Sequence, residues 1–200
     1  MLDQTDKALI SEDDIRNVPA GSTLKISDRA LVTPLAADIA RERHIRIERA
    51  AAKPSTRKIA IGADHGGFEM KEALKGVLGE LGFGYVDLGT HSTDAVDYPD
   101  FAQAVALAVS RRQCELGIMI DGAGIGSCMA ANKVPGIRAA MCYDEVSARN
   151  SREHNGANVL TLGGKMISNE QMRNIVRVWL STDITEERHR RRVAKIDALL

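Results

Sequence analysis

The 200-residue chain is long enough for one full α/β domain with its own core and too short for two large domains. Its 27 basic and 27 acidic side chains balance, so we expect neither nucleic acid nor an anionic membrane as a partner. No apolar run approaches the roughly 20 residues of a membrane span, and residues 1–14 lack the regions of a signal peptide, which predicts a cytoplasmic protein. The three cysteines, Cys114, Cys128 and Cys142, are an odd number without metal-ligand spacing, which argues against a disulfide framework and against a zinc site.

Composition divides the chain into three parts. Residues 1–50 are an N-terminal extension, in which residues 23–26 have strand character and residues 33–43 have helical spacing. Residues 51–57 combine small residues, a proline and basic side chains, as is typical of a linker. Residues 58–200 form the main domain, and no internal repeat is predicted anywhere in the chain.

The main domain alternates short apolar runs with longer stretches of helical spacing. The apolar runs, which we predict to be buried strands, are residues 58–63, 85–89, 116–121, 137–143 and 158–164. The helical stretches are residues 67–81, 99–112, 126–133, 144–154, 168–180 and 186–199. This alternation predicts an α/β fold: a Rossmann-like, doubly wound parallel sheet of five strands with helices on both faces, plus the small N-terminal extension. In such sheets the ligand lies beyond the carboxyl ends of the strands, so the residues after each strand are the first candidates for function.

Polar residues and glycines follow the first predicted strand of the main domain. Asp64 and His65 come directly after it, and Gly66 and Gly67 would let the backbone approach a ligand. An acid and an imidazole at this edge suit the binding of a polar substrate. The same residues would also suit a simpler structure, in which Asp64 caps the next helix beside a surface histidine.

A glycine-rich turn follows the third strand, at the expected switch point of the sheet. After Asp121 it contains Gly122, Ala123, Gly124, Ile125 and Gly126. Ser127 stands where the dinucleotide-binding motif needs a third glycine, and no phosphate-loop lysine follows, so nucleotide binding is disfavoured. A carboxylate before backbone N–H donors instead suits proton abstraction next to a carbonyl, because the donors stabilise the enediolate oxygen. The alternative is that Asp121 only fixes the turn.

Two further sets of candidates lie toward the C-terminus. His154 ends a predicted helix and is able to transfer a proton near neutral pH, although a histidine at a helix end is more often a cap or a surface group. Arg188 and Arg192 are four residues apart, so they lie on one face of the last helix and could grip one phosphate. Pairing with Glu186 and Glu187 in solvent is the alternative for these arginines.

Taken together, the motifs of the main domain resemble the type B ribose-5-phosphate isomerase and galactose-6-phosphate isomerase family. The resemblance covers about residues 58–199 and rests on motifs in the family's order. They are Gly62-Ala63-Asp64-His65-Gly66-Gly67-Phe68, Asp97-Tyr98-Pro99, Gly122-Ala123-Gly124-Ile125-Gly126, Ala130-Ala131-Asn132-Lys133, Gly136-Ile137-Arg138-Ala139, Ser151-Arg152-Glu153-His154-Asn155 and Arg188-His189-Arg190-Arg191-Arg192-Val193. Membership implies an aldose–ketose isomerase that interconverts ribose 5-phosphate and ribulose 5-phosphate through a cis-enediol, with no metal or organic cofactor. It also implies a homodimer or a dimer of dimers, with the site shared across a subunit interface.

The resemblance also assigns roles to single residues. His154 would open the sugar ring, and the residues holding hydroxyl groups and the ring oxygen would be Asp64, His65, Tyr98 and Asn155. Arg188 and Arg192 would hold the phosphate, helped by Lys165 or His189. The backbone of Gly122, Ala123, Gly124 and Gly126 would cradle the developing oxyanion.

The base is where this sequence departs from its relatives. Many relatives have a cysteine at the position of Asp121, and others use a glutamate at the position of Ser127. Many also have threonine or serine at the position of Ala123. We predict that Asp121 carries the proton between C2 and C1, and we rank Cys128 behind it.

Two alternatives to a ribose-5-phosphate isomerase stay open from the sequence. The substrate could be another aldose phosphate, such as a hexose 6-phosphate or allose 6-phosphate, because the motifs do not measure sugar length. The chain could also be a non-catalytic partner subunit that binds sugar phosphates. The extension resembles terminal segments of some bacterial microcompartment enzymes, which implies a shell or cargo partner and a location inside a microcompartment; an oligomerisation arm or an inert tail is the alternative.

Overall fold

The computed structural model describes residues 2–5, 7, 9–28, 30–50 and 58–199. The chain forms two compact units, Met1–Ser55 and Thr56–Leu200. The predicted linker, residues 51–57, lies outside the described residues. Among the helices of the described ranges, none has the length and apolar character that crossing a membrane requires.

The N-terminal unit is built from parallel strands and short helices. Its elements are β1 (Leu2–Gln4), β2 (Leu9–Ile10), α1 (Glu12–Arg16), β3 (Thr23–Ser27), β4 (Leu31–Val32), α2 (Pro34–Glu42) and β5 (Arg46–Ala50). The first sheet has the order β1-β3-β5, and β2 pairs in parallel with β4. The unit has a core of its own, which consists of Ile10, Ile15, Val18, Leu24, Ile26, Ala30, Ala36, Ala40 and Ile45. The strand predicted at residues 23–26 and the helix predicted at residues 33–43 are confirmed as β3 and α2.

This unit contains an internal repeat, so the prediction of none is wrong. Leu2 pairs with Leu24 and Leu9 pairs with Leu31, with the same offset of 22 residues in both ladders. The paired stretches are similar in sequence: Leu-Asp-Gln-Thr-Asp-Lys-Ala-Leu-Ile-Ser at residues 2–11, and Leu-Lys-Ile-Ser-Asp-Arg-Ala-Leu-Val-Thr at residues 24–33. Equivalent residues therefore stack on one another, as they do in solenoid proteins.

The second unit is a parallel sheet between two layers of helices. Its strands are β6 (Lys58–Ala63), β7 (Gly84–Asp87), β8 (Leu116–Asp121), β9 (Ala139–Met141) and β10 (Val159–Gly163). Its helices are α3 (Phe68–Leu81), α4 (Tyr98–Ser110), α5 (Ile125–Ala131), α6 (Glu145–Glu153), α7 (Asn169–Ser181) and α8 (Glu187–Asp197). The predicted fold class is confirmed.

Core side chains cover both faces of this sheet. On one face α3, α6 and α7 contribute residues such as Leu74, Ala148 and Trp179. On the other face α4 and α5 contribute residues such as Val105 and Ala131. Because both faces are covered, the central strands are continuous apolar runs rather than alternating ones.

The order of the strands in the sheet indicates where the ligand crevice lies. The order is β7-β6-β8-β10-β9, so the chain moves from β6 to one edge of the sheet and from β8 to the other. The switch point therefore lies between β6 and β8, and ligands bind outside the carboxyl ends of strands at such a point. Ala63 pairs with Ile120 at the end of these two strands, which brings Asp64 and Asp121 to the same edge.

Candidate active site

Main chain from three loops is packed together at the carboxyl ends of β6, β8 and β10. A side chain on Gly67 would collide with the carbonyl group of Ile120, and one on Gly164 would lie 2.9 Å from the carbonyl oxygen of Gly66. The N–H of Gly164 also donates to the carbonyl oxygen of Asp121 at 2.7 Å. Glycine is needed here because only a residue without Cβ allows such close approach.

Asp64 is buried and organises the loop after β6. Its Oδ1 accepts hydrogen bonds from the N–H groups of Gly66 at 2.8 Å and of Gly67 at 3.0 Å. His65 is exposed beside it, with Nδ1 at 4.0 Å from Asp64 Oδ2 and at 3.2 Å from the backbone of Val96. Asp64 therefore orders the turn that leads into α3, whose N-cap is Gly67, and it also lies beside an accessible imidazole.

Tyr98 brings a phenol to the glycine-rich turn. It is the first residue of α4, and Pro99 after it suits a first helical turn, where no N–H is needed. A side chain on Gly126 would lie 2.7 Å from the Tyr98 hydroxyl oxygen, so the phenol lies against the backbone where α5 begins. Tyr98 thus lines the same crevice as the turn after β8.

Asp121 holds the glycine-rich turn through its own side chain. The residue is 4% exposed. Its Oδ1 accepts hydrogen bonds from the N–H groups of Ala123, at 2.8 Å, and of Gly124. Its Oδ2 accepts from the N–H of Ser127, at 3.0 Å, and from the Ser127 hydroxyl. Four donors match the lone pairs of an ionised carboxylate, so this arrangement includes the contacts of a turn-fixing residue.

The backbone donors of the predicted oxyanion cradle divide into two sets. Those of Ala123 and Gly124 point at the Asp121 carboxylate, whereas those of Gly122 and Gly126 donate no hydrogen bond to it. Gly124 has a φ of 80°, in the left-handed region that glycine tolerates, which lets the turn close around the carboxylate.

Lys165 completes the residues found at this end of the sheet. It is exposed, its N–H donates to the carbonyl oxygen of Gly122 at 3.1 Å, and its Cδ would lie 3.8 Å from a Cβ on Gly122. We call the following residues the carboxyl-end group: Asp64, His65, Tyr98, Asp121 and Lys165. In the part of the chain that the structure describes, no three His, Cys, Asp or Glu side chains are grouped so as to hold a metal ion.

The other candidate residues lie at the opposite end of the sheet. His154 and Asn155 lead into Gly156, whose carbonyl oxygen accepts a hydrogen bond from Arg138 Nε at 3.0 Å. Arg138 directly precedes β9, and its N–H donates to the side chain of Asn158, which directly precedes β10. This region is therefore at the amino ends of the strands, and the five residues of β10 separate it from the carboxyl ends by about 13 Å or more.

His154 is stacked on a second histidine, His189 of α8. The ring centroids are 4.3 Å apart, with 19° between the planes. His189 is 3% exposed, and neither of its ring nitrogens has a hydrogen-bond partner within the described residues. Burial, together with the charges of His154 and Arg188, lowers the pKa of His189 below its ordinary value of 6.5.

The two predicted phosphate ligands are on the same helix as His189. Arg188 and Arg192 are both exposed. Arg188 Nε lies 2.6 Å from Glu186 Oε2, which is the solvent pairing named as the alternative for this residue. We call the following residues the amino-end group: His154, Asn155, Arg188, His189 and Arg192. A single chain does not bring this group to the carboxyl-end group.

The domain that carries both groups has well-described relatives. A family model described as Ribose/Galactose Isomerase matches residues 59–196. The chain belongs to this family.

Ribose-5-phosphate isomerase B of Escherichia coli (strain K12) is 43% identical to the chain over 143 residues, which are 72% of this chain and 96% of that protein. Among solved structures, the ribose-5-phosphate isomerase B of Clostridium thermocellum matches with a TM-score of 0.70 and 46% identity, over 71% of this chain and 96% of that one. The enzyme of Mycoplasma genitalium with bound ribulose-5-phosphate matches with a TM-score of 0.69 and 40% identity, over 72% of this chain and 95% of that one.

Sequence reasoning about this isomerase family domain missed two contacts. Asn150 Nδ2 lies 2.9 Å from His154 Nδ1, and the spacing of four residues within one helix was a signal that could have found this pair. The hydrogen bonds from Ser127 to Asp121 had no such signal, because the two residues are six apart across a turn.

Proposed function

We propose that the chain interconverts ribose 5-phosphate and ribulose 5-phosphate through a cis-enediol intermediate. The observation that carries the proposal is the match, over 72% of the chain, to ribose-5-phosphate isomerases B, one of them solved with bound ribulose-5-phosphate. The carboxyl-end group supports it, since a carboxylate among backbone donors at a switch point suits proton transfer between carbons next to a carbonyl.

The site is formed by two copies of the chain, in a homodimer or a dimer of dimers. One support is that the carboxyl-end and amino-end groups lie too far apart within one chain to act on one small sugar. A second is a set of exposed apolar side chains that follow the carboxyl ends of β8, β9 and β10, which mark an interaction surface. They are Ile125, Met129, Tyr143, Val146 and Met166. A second copy covering this surface would supply its amino-end group to the crevice.

Within this site His154 opens the sugar ring. Its imidazolium gives the Nε2 proton to ring oxygen O4 while the C1–O4 bond breaks and its electron pair goes to O4. The C1 hydroxyl loses its proton to water as the aldehyde forms, and a proton from water restores His154. Hydroxyl groups of the substrate are held by Asp64, His65, Tyr98 and Asn155. The phosphate is held by Arg188 and Arg192, with Lys165 as a further cation.

Asp121 is the base that moves the proton from C2 to C1. It takes the C2 proton, the C–H electron pair forms the C1–C2 double bond, and the C1=O electron pair goes to O1. The O2 hydroxyl proton moves to O1, and the proton on Asp121 returns to C1 as the C2 carbonyl forms. Of its four donors only the Ser127 hydroxyl turns without moving backbone, so rotation of that hydroxyl frees a lone pair on Oδ2. The position of Ser127 supports this role, because a glutamate there, as in some relatives, would bring its carboxylate to the same place.

A coupled assay on the purified chain with ribose 5-phosphate and a panel of hexose 6-phosphates tests the proposal. We expect turnover of ribose 5-phosphate. Turnover of a hexose 6-phosphate or allose 6-phosphate alone would assign another aldose phosphate. Binding of all sugar phosphates without turnover would instead identify a non-catalytic partner subunit.

We propose that the N-terminal unit recruits the enzyme to a shell or cargo protein of a bacterial microcompartment. Outside such a compartment the enzyme acts in the cytoplasm. The unit has its own core, and it exposes apolar side chains at equivalent positions of its repeat, Leu9 and Leu31, with Leu35 close in sequence. An oligomerisation arm is the alternative, and a chain without this unit would then form smaller assemblies on sedimentation.

A further inference from the structure

The side chain of Asn150 lies beside one nitrogen of the His154 ring. Its Nδ2 lies 2.9 Å from His154 Nδ1. In this orientation the amide NH₂ group donates to Nδ1. With the amide turned over, its oxygen accepts from Nδ1–H, which is the contact that the imidazolium and the ring left after loss of the Nε2 proton both need. In both states Nε2, on the far side of the ring, is the atom that is left to exchange a proton with a substrate.

His189 packs against the face of the same ring. The two imidazoles are 4.3 Å apart and within 19° of parallel, an arrangement that restricts rotation of His154 about its side-chain bonds. His189 itself makes no hydrogen bond within the described residues although it is 3% exposed. A buried polar group without a partner is destabilising, so the ring does not contribute to the fold through hydrogen bonding.

The surroundings of His189 favour its neutral form. Burial lowers the pKa of His189, and so do the charges of His154 and of Arg188 and Arg192 on α8, while Glu186 opposes them. A neutral His189 does not repel an imidazolium stacked on it, whereas two stacked imidazolium rings would repel each other.

We propose that Asn150 and His189 are positioning residues that hold the Nδ1 edge and the ring plane of His154, so that Nε2 delivers its proton to the sugar ring oxygen. This inference rests on the proposed function. It concerns ring opening alone, because the proton transfer between C2 and C1 takes place at the carboxyl-end group.

The two steps are separable by the choice of substrate. Ribose 5-phosphate is mostly cyclic and has to be opened, whereas ribulose 5-phosphate carries its phosphate on the oxygen that would close its ring and is therefore open. Exchange of the C1 hydrogen of ribulose 5-phosphate with solvent deuterium thus measures enediol formation without ring opening. Turnover of ribose 5-phosphate measures both.

The experiment uses the full chain with Asn150→Leu, Asn150→Asp, His189→Phe and His189→Leu, and with Arg149→Ala on the same helix as control. Asn150→Leu should lower kcat on ribose 5-phosphate by about tenfold or more and leave C1 exchange of ribulose 5-phosphate within about twofold. Asn150→Asp places a carboxylate at Nδ1, which favours the charged ring, so it should move the acid–base profile of kcat to higher pH. His189→Phe keeps a flat ring and should lose less activity than His189→Leu.

Nitrogen-15 NMR of the histidine rings provides a readout that does not depend on activity. We expect the His154 Nδ1 signal of the wild-type chain to show a hydrogen bond that Asn150→Leu lacks. If both Asn150 variants match the wild type in this signal and in pH profile, the inference is overturned while the proposed function stands. If the wild type shows the hydrogen bond but does not exchange C1 of ribulose 5-phosphate, the proposed function fails instead, and with it the role of the pair in catalysis.

Discussion

The carboxyl-end group and the amino-end group are held in place by different means. At the carboxyl ends, the carboxylates of Asp64 and Asp121 accept hydrogen bonds from backbone N–H groups, and glycines pack main chain against main chain. At the amino ends, side chains contact side chains: His154 stacks on His189, and Arg188 pairs with Glu186 in solvent. The first group is fixed by the fold itself, whereas the second presents the exposed cations Arg188 and Arg192, of which Arg188 pairs with Glu186.

This difference is what we expect of the proposed site between two copies of the chain. Backbone donors around a carboxylate need no partner chain, because they are placed by the loops that follow the strands. Exposed arginines are effective for phosphate only where a ligand or a second chain restricts them, since pairs in water contribute little.

Asp121→Asn is expected to have the largest effect on catalysis. It removes the base of the carboxyl-end group and leaves the amino-end group unchanged. Exchange of the C2 hydrogen of ribose 5-phosphate with deuterium, followed by NMR, should fall by about 10²–10⁴-fold. Asp121→Cys, which introduces the thiol of many relatives, should recover part of that exchange. Ser127→Ala removes only the donor that has to turn away, and should lower exchange by less than about tenfold.

The control for Asp121→Asn is a measurement of its stability. The NH₂ group of asparagine would face backbone N–H donors, from which it cannot accept a hydrogen bond. Each buried donor left without an acceptor is destabilising by about 1–3 kcal/mol, so the unfolding temperature has to be measured beside exchange. Asp121 is the base if the variant stays folded, binds inorganic phosphate and does not exchange. Exchange at the wild-type rate, with loss in Cys128→Ala, would show that Asp121 only fixes the turn.

A buried ion cluster beside the carboxyl-end group predicts the largest effect on stability. Lys71 is fully buried, and both Lys71 and Lys75 bond to Asp87 at the end of β7. Burial by itself would raise the pKa of Asp87, but the hydrogen bonds from the two lysines outweigh it, so the pKa is lowered. A lowered folded-state pKa means that the ionised carboxylate stabilises the fold above about pH 4, and that this stabilisation is lost as the pH falls through the lowered value.

Asp87→Asn removes this counter-charge from the two lysines, which still pair with Glu72. We expect the free energy of unfolding, measured with urea at pH 7, to fall by about 1.5–3 kcal/mol. The difference from the wild type should shrink as the pH is lowered below about 4. Glu80→Gln, which removes an exposed pair with Arg173, is the control and should change stability by less than about 1 kcal/mol. Equal stability of Asp87→Asn and the wild type at pH 7 would contradict this account.

Substitutions in the amino-end group should weaken binding without changing the fold. Arg188→Ala and Arg192→Ala each remove a charge-assisted contact to phosphate, so KM should rise by about ten- to a hundredfold. Arg190 is two residues beyond Arg188 and faces elsewhere, which makes Arg190→Ala the matched control. If neither substitution alters the affinity for ribose 5-phosphate or for inorganic phosphate, these arginines are only a solvated face.

Removal of the N-terminal unit should have the smallest effect on turnover. A chain that begins at Lys58 keeps both groups, so kcat/KM should change by less than about tenfold, which corresponds to roughly 1.4 kcal/mol. Association with a shell or cargo protein should be lost instead. A larger loss of kcat/KM would mean that the N-terminal unit contributes to the site.

The sequence predicts the sheet better than it predicts the contacts within the site. Strands β6, β8 and β10 are continuous apolar runs because they are buried on both faces, and this pattern is visible without coordinates. Strand β9 was predicted at residues 137–143 but spans Ala139–Met141. Before it, the N–H of Arg138 donates to a side chain, that of Asn158, and hydropathy does not reveal such a partner.

The candidate residues after the strands could be found from the sequence because each is a polar residue directly after an apolar run. Their contact partners could not be found, because they are distant in sequence. The stacked pair joins His154 with His189, and no local period links residues so far apart in sequence. The repeat in the N-terminal unit was missed for a related reason: its copies are mostly similar rather than identical, and the ladder of Leu2 with Leu24 is what makes their equivalence plain.

The most direct test of the shared site is a subunit-mixing experiment with two inactive variants, Asp121→Asn and His154→Gln. Each variant destroys one group, so each alone should be inactive on ribose 5-phosphate. In a mixed dimer one site receives both defects and the other receives an intact carboxyl-end group from one chain and an intact amino-end group from its partner. Co-refolding equal amounts should therefore restore about a quarter of the wild-type turnover. No recovery, with mixed dimers shown to be present by mass spectrometry, would contradict a site formed between two chains.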